Sequence, residues 1–172
     1  MGKLKDIKWY EWIFFLLIMY LSLPNLIFSI ENIVRKEYFM NPYMPRYTIY
    51  LRLLINFFLI TTGLFALTGI YFYASKNIAG WILLFSSSLQ ILLHQIEFII
   101  YSDYIKTSSV TVTILFIAFS VFLLFILIIP VTRKKFTIQW KHFIYSLSLS
   151  LPITFIEIFK IKISYLLSEL FA

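Results

Sequence analysis

The chain has 172 residues, 61% hydrophobic, 20% aromatic and only 13% charged, with a formal net charge of +7. A soluble domain of this size carries about 25% charged residues, so the composition excludes an ordinary water-soluble fold and points to one polytopic membrane domain over 1–172. The absence of cysteine excludes disulfides, thiolate metal sites and cysteine nucleophiles.

Lys3, Lys5 and Lys8 precede a first apolar segment at about 12–30, and Trp9 and Trp12 suit the aromatic belt of a membrane interface. Phe28, Ser29, Ile30 and Glu31 offer no small-residue cleavage site, so the segment reads as a retained span rather than a signal peptide. Pro24 removes a backbone donor and frees the carbonyl of Tyr20, which predicts a kink. Ser22, Asn25 and Ser29 share one helical face, expected to point into a bundle. The following segment, 31–49, is broken by Pro42 and Pro45. Tyr38, Phe39, Tyr43, Met44 and Tyr47 make it too aromatic for a loose linker, so a lid or apron on the bundle end is expected over 38–50.

A second span at about 50–73 carries Arg52 at its start and Asn56 one turn deeper. Thr62, Gly63, Ala66 and Gly69 give it a small-residue face suited to close helix packing. The short turn Ala74-Ser75-Lys76-Asn77 predicts an antiparallel hairpin with a third span at about 78–101, capped by Asn77. In that third span Gln90, His94, Glu97 and Tyr101 fall within an arc of about 60° on an otherwise apolar helix. A polar stripe at membrane depth has to face protein or water.

The turn at 102–109 holds Asp103 and Lys106, with Thr107, Ser108 or Ser109 available as a cap for a fourth span at about 110–129. Ser120 is its one midspan hydroxyl, and the helix is expected to be the most lipid-exposed of the set. Pro130 ends it. Arg133, Lys134, Lys135 and Lys141 then read as contacts to anionic lipid headgroups.

The last stretch, about 143–170, suits either an interfacial amphipathic helix or a marginal fifth membrane helix. Ser146, Ser150, Thr154 and Glu157 recur at helical spacing, yet a carboxylate at midspan costs about 2.5 to 3.5 kcal/mol on insertion scales. The distribution of Lys and Arg favours four spans with a cytoplasmic N-terminus and an interfacial tail. That topology puts ten basic residues inside and five outside, where a fifth crossing gives eight and seven. The expected fold is therefore an all-α integral membrane protein of the cell membrane, an antiparallel bundle of four transmembrane helices followed by the C-terminal amphipathic or marginal fifth helix.

With this topology Arg52 and Glu97 come to similar depth on antiparallel neighbours, and the expected polar pocket is Asn25, Arg52, Asn56, Gln90, His94, Glu97 and Tyr101. Its functional reading is a ligand or proton-handling site with His94 as relay partner to Glu97. Its structural reading is charge neutralisation by Arg52 with Gln90 and His94 as interhelical glue. One His-x-x-Glu does not make a di-iron site, which needs Glu-x-x-His motifs on two helices. No catalytic constellation, phosphate loop or cofactor motif is present, and the basic run is lipid-facing rather than nucleic-acid-binding. Scarce glycine, 4 residues, argues against a transporter of mobile broken helices. The leading expectation is a non-enzymatic membrane protein, without cofactor, that sits in the lipid bilayer. It would bind a membrane or secreted protein partner, or its own copy, as an accessory, assembly or immunity-type subunit. The alternative is a small proton-coupled transporter or ligand-binding membrane protein using Glu97 and His94.

Overall fold

Long apolar runs with few glycines leave the backbone no way to satisfy its polar groups in lipid except as helix. The computed structural model describes residues 7–35, 45–101 and 107–171, and among these the chain forms seven helices. They are α1 (Trp9–Val34), α2 (Arg46–Ala74), α3 (Ile78–Tyr101), α4 (Thr107–Ile128), α5 (Pro130–Lys135), α6 (Trp140–Ile158) and α7 (Lys160–Leu170). Three helical stretches, Trp9–Val34, Arg46–Ala74 and Ile78–Glu97, are long and apolar enough to cross a membrane, and the bent pair α6 and α7 makes a fourth if taken as one broken span.

The first two helices overrun their expected limits, whereas α3 keeps to 78–101. Helix α1 continues through Pro24 as far as Val34, and Ser22 and Asn25 donate back to the carbonyls of Ile18 and Leu21 at 2.6 and 3.1 Å. Helix α2 starts at Arg46 directly after Pro45, whose fixed φ suits a helix entrance. The last residues of the supposed lid are thus helical, and 36–44 lie outside the described residues.

Helices α2 and α3 form the expected hairpin. Asn77 Oδ1 accepts from the Ala79 amide at 2.9 Å, and Lys76 takes a positive φ of 57° to make the turn. The hairpin closes so tightly that a Cβ on Gly80 would lie 2.1 Å from the Tyr73 nitrogen, which only glycine tolerates. Higher up, Gly69 packs against Leu84 of α3 and Gly63 against Leu26 of α1. The small-residue face Thr62, Gly63, Ala66 and Gly69 is buried, and its two glycines seat neighbours within the chain.

Helix α4 packs along α3. Its break at Ile129, extended at ψ 147°, leaves the Leu127 carbonyl without a helical donor, and the buried Trp81 indole supplies one at 2.9 Å. The apolar core spans this end of the bundle: Phe14, Phe15, Tyr73, Trp81, Leu127 and Phe136 are all buried in it.

The C-terminal segment departs from the favoured expectation. Helix α6 does not lie across the end of the bundle near Arg133. It runs parallel to α3, with Ser146 beside Ile82 and Ser86 near one end and Glu157 beside His94 near the other. The reason is its face pattern. Ser146, Ser150, Thr154 and Glu157 are buried against the bundle, whereas Ile144, Leu147, Leu151 and Phe155 face outward. Charge counting weighs only the ends of a segment and is blind to this match of hydroxyls between helices. After α6 the chain bends by 71° and α7 packs on the start of α2, where Tyr165 stacks on Tyr47 at 4.7 Å.

Candidate functional site

The polar stripe of α3 divides between two neighbours. Gln90 is fully buried, and its Oε1 accepts a hydrogen bond from Thr62 Oγ1 of α2 at 2.8 Å. Its Nε2 is buried with no hydrogen-bond partner among the described residues. A buried amide half satisfied in this way costs stability.

One turn further along α3, His94 and Glu97 meet the junction of α6 and α7. His94 Nδ1 lies 3.2 Å from Glu157 Oε1 and 3.7 Å from Glu97 Oε2. Lys160 Nζ bridges the two acids, 2.7 Å from Glu157 Oε1 and 2.9 Å from Glu97 Oε1. Glu157 is 1% exposed, and its Oε2 finds no hydrogen-bond partner among the described residues. Two carboxylates, one ammonium and one imidazole thus share a site a few ångströms across. If His94 carries a proton the group is neutral as a whole, with Glu157 Oε1 the nearest carboxylate oxygen to the imidazole nitrogen. His94, Glu97 and Glu157 offer donor atoms within 4.8 Å of one another, a spacing compatible with a metal ion. The Lys160 ammonium engages two of those carboxylate oxygens, so the chain itself supplies the cation.

This cluster corrects one expectation. The counter-charge of Glu97 is Lys160, from the far end of the sequence, rather than Arg52 of the neighbouring helix. Arg52 is half-buried in the first turns of α2. The 71° bend between α6 and α7 is what brings Lys160, three residues after Glu157, over both acids.

On its other side His94 forms part of the wall of a cavity of about 340 Å³ between α1, α2, α3 and α4. Ser22 and Asn25 of α1, Thr62 of α2 and Gln95 of α3 supply its polar groups, while Phe58, Ile91 and Phe116 supply apolar wall. Phe58 packs on the His94 ring with centroids 5.3 Å apart. Of the expected pocket, the structure brings Asn25 and His94 to this cavity and Glu97 to the cluster behind it. Gln90 is held against Thr62, and Asn56 is buried in α2 outside the cavity wall. The side chain of Tyr101 and the turn with Asp103 and Lys106 lie outside the described residues, as do the side chains of Thr107, Ser108 and Ser109.

At the opposite end of the bundle the expected headgroup contacts split. Arg133, Lys134 and Lys141 are exposed. Lys135 instead turns inward, its Nζ 2.7 and 2.9 Å from the two carboxylate oxygens of Glu11. Glu11 is 1% exposed and also accepts from the Tyr73 hydroxyl at 2.8 Å and from the Lys8 amide at 2.9 Å. This ties α1, α2 and α5 together. Glu11 was not singled out from the sequence; the available signal was a lone acid among lysines and tryptophans at the start of a span. Glu157 was weighed only as a mark against a fifth span, although its spacing of three residues from Lys160 allows a pair on one helical face.

Comparisons with protein-family models, with curated proteins and with solved structures find no match to this chain.

Proposed function

We propose that the chain is a non-enzymatic multi-pass protein of the cell membrane that binds a small ligand in the cavity beside His94, with the Glu97, Glu157 and Lys160 cluster holding and exchanging the proton of the imidazole. The observation that carries this reading is the junction of cavity and cluster at one side chain. His94 presents one part of its ring to a partly open cavity with polar groups on its wall and another to two carboxylates. A buried cluster serving stability alone has no need of an adjoining cavity lined by Ser22, Asn25, Thr62 and Gln95.

In this reading α1 to α4 are four membrane spans, with the N-terminus cytoplasmic, and α6 is a fifth crossing. Helix α4, 22 residues long, extends for about 33 Å, enough for a bilayer core. The inverted pattern of α6, hydroxyls inward and aliphatic side chains outward, suits lipid and not a water interface. Helix α7 then lies at the outer surface. A reporter fused at the C-terminus tests the fifth crossing: an external C-terminus supports it, and a cytoplasmic one removes it.

The ligand reading is tested on purified protein in lipid nanodiscs by titrating His94 with NMR of labelled imidazole, before and after addition of membrane extract. A ligand in the cavity perturbs the resonance, and the perturbation is lost when the cavity is filled in Leu59→Trp. An imidazole resonance unmoved by any extract fraction would remove the reading.

A second reading, an accessory, assembly or immunity-type subunit binding a membrane or secreted protein or its own copy, keeps one support in the broad outward face of α4, where Ile114, Leu115, Val121 and Phe125 are at least half exposed. Lipid covers such a face equally well. The small-residue face of α2, which a partner helix would have used, is already taken by Leu26 and Leu84. Pull-down in mild detergent tests it directly: recovery of a stoichiometric partner lost in Phe125→Arg supports this reading.

A further inference from the structure

The cavity beside His94 is bounded by α2 and α3 at its back and by α1 and α4 at its sides. Of the neighbouring pairs around the cavity, α1–α2, α2–α3, α3–α4 and α4–α1, the last meets least among the described residues, which puts the mouth of the cavity between α1 and α4. Tyr20, Pro24 and Asn25 of α1 contribute to the wall and are exposed on the helix surface as well. From the same Tyr20 and Pro24 an almost purely apolar groove continues along α1 past Leu16 and Leu17 to Ile13. Polar groups converge at one end of this continuous path, and hydrocarbon lines the other.

The lining also sets the charge of the occupant. His94 is the one ionisable group on the cavity wall apart from the Tyr20 phenol, and Glu97 and Glu157 already balance Lys160 and a protonated His94. An anionic head would find no unbalanced cation on the wall, and a cationic head no free carboxylate. Asn25 and Gln95 offer amide groups, and Thr62, whose hydroxyl proton goes to Gln90, offers a lone pair; together they suit a head bearing hydroxyl or carbonyl oxygens. A volume of about 340 Å³ holds a head of several non-hydrogen atoms and the first part of a chain, and not two acyl chains.

Resting on the ligand reading above, we infer that the occupant is a single-chain membrane amphiphile with an uncharged, oxygen-bearing head. The head enters sideways from the bilayer between α1 and α4 and docks beside His94, with the chain laid along the groove of α1 from Pro24 toward Ile13.

The test uses the full chain in phosphatidylcholine nanodiscs with a monoacylglycerol carrying a photoactivatable diazirine in its chain, cross-linked peptides being mapped by mass spectrometry. The expected result is labelling concentrated within residues 13–25, lowered at least tenfold by excess mono-olein and unaffected by free glycerol. It should fall at least fivefold in Leu59→Trp, which fills the cavity, and in Tyr20→Ala, an exposed change at the mouth that leaves the core untouched. Labelling of α1 no stronger than that of the outward faces of α4 and α6, not competed and unchanged in both variants, identifies annular lipid and overturns the inference. Competition by glycerol as effective as by mono-olein overturns the amphiphile while leaving a small polar ligand in the cavity. Competition by oleate ten times stronger than by mono-olein overturns the uncharged head.

Discussion

Replacing Lys160 with Met removes the ammonium that bridges Glu97 and Glu157 while keeping a side chain of similar length. The side chains involved are poorly solvated, with Lys160 16% exposed, Glu97 11% and Glu157 1%. Breaking a buried ion pair from one side costs about 3 to 5 kcal/mol, because the remaining charge stays out of water. Here two carboxylates are left with one imidazole between them, so the upper half of that range applies to the part of the penalty that Glu157 bears. The double variant Glu157→Gln/Lys160→Met leaves Glu97 and His94, 3.7 Å apart, as a balanced pair, and recovers at least half of the loss. The assay is equilibrium unfolding in mixed micelles, followed by tryptophan fluorescence, with the two single variants and the double variant closing a cycle. A cost below about 1 kcal/mol for Lys160→Met would mean that the acids are hydrated or protonated in the fold. Additivity of the two single changes would show that the residues do not act as a unit. Either result refutes the reasoning.

At the other end of the bundle, Tyr73→Phe removes one hydrogen bond to the buried Glu11 carboxylate. It is expected to lower stability by about 1.5 to 3 kcal/mol in the same unfolding assay. Gly80→Ala drives a Cβ against the backbone of Tyr73, where no flexible side chain can yield. A loss of about 1 to 3 kcal/mol or more is expected, read as a lower melting temperature and a spread of hairpin resonances. Thr62→Val deprives the Gln90 carbonyl of its donor and costs about 1 to 3 kcal/mol, whereas Thr62→Val/Gln90→Leu, which removes both polar partners, returns close to the parent stability. A double variant worse than either single change would show that the amide has a further role.

Several features were legible from the residues alone because they are local. The hairpin of α2 and α3 follows from a four-residue turn with Asn77 as cap, and the burial of Ser22 and Ser29 in α1 follows from helical spacing next to lipid-compatible side chains. Gln90, His94 and Glu97 declared themselves as a polar stripe on an apolar helix, and the sequence could say that they needed partners. It could not say which. Arg52 was the nearest cation by topology, and charge counting put the C-terminal segment at the wrong end of the bundle to compete.

What decided the matter was packing. The match of Ser146 to Ser86 and Ile82 draws α6 along α3, since hydroxyls at membrane depth are cheapest where they can donate to a neighbouring carbonyl. Once α6 lies there, Glu157 reaches His94 and the bend before α7 delivers Lys160. The same holds for Lys135, exposed by composition and yet drawn onto Glu11 because a buried carboxylate requires a counter-charge. Composition and periodicity therefore determined that this is an all-helical chain with apolar helices suited to a membrane, and which faces of the helices are polar. The pairing of those faces depends on contacts between residues some 60 to 125 positions apart, and only the tertiary structure chose among them.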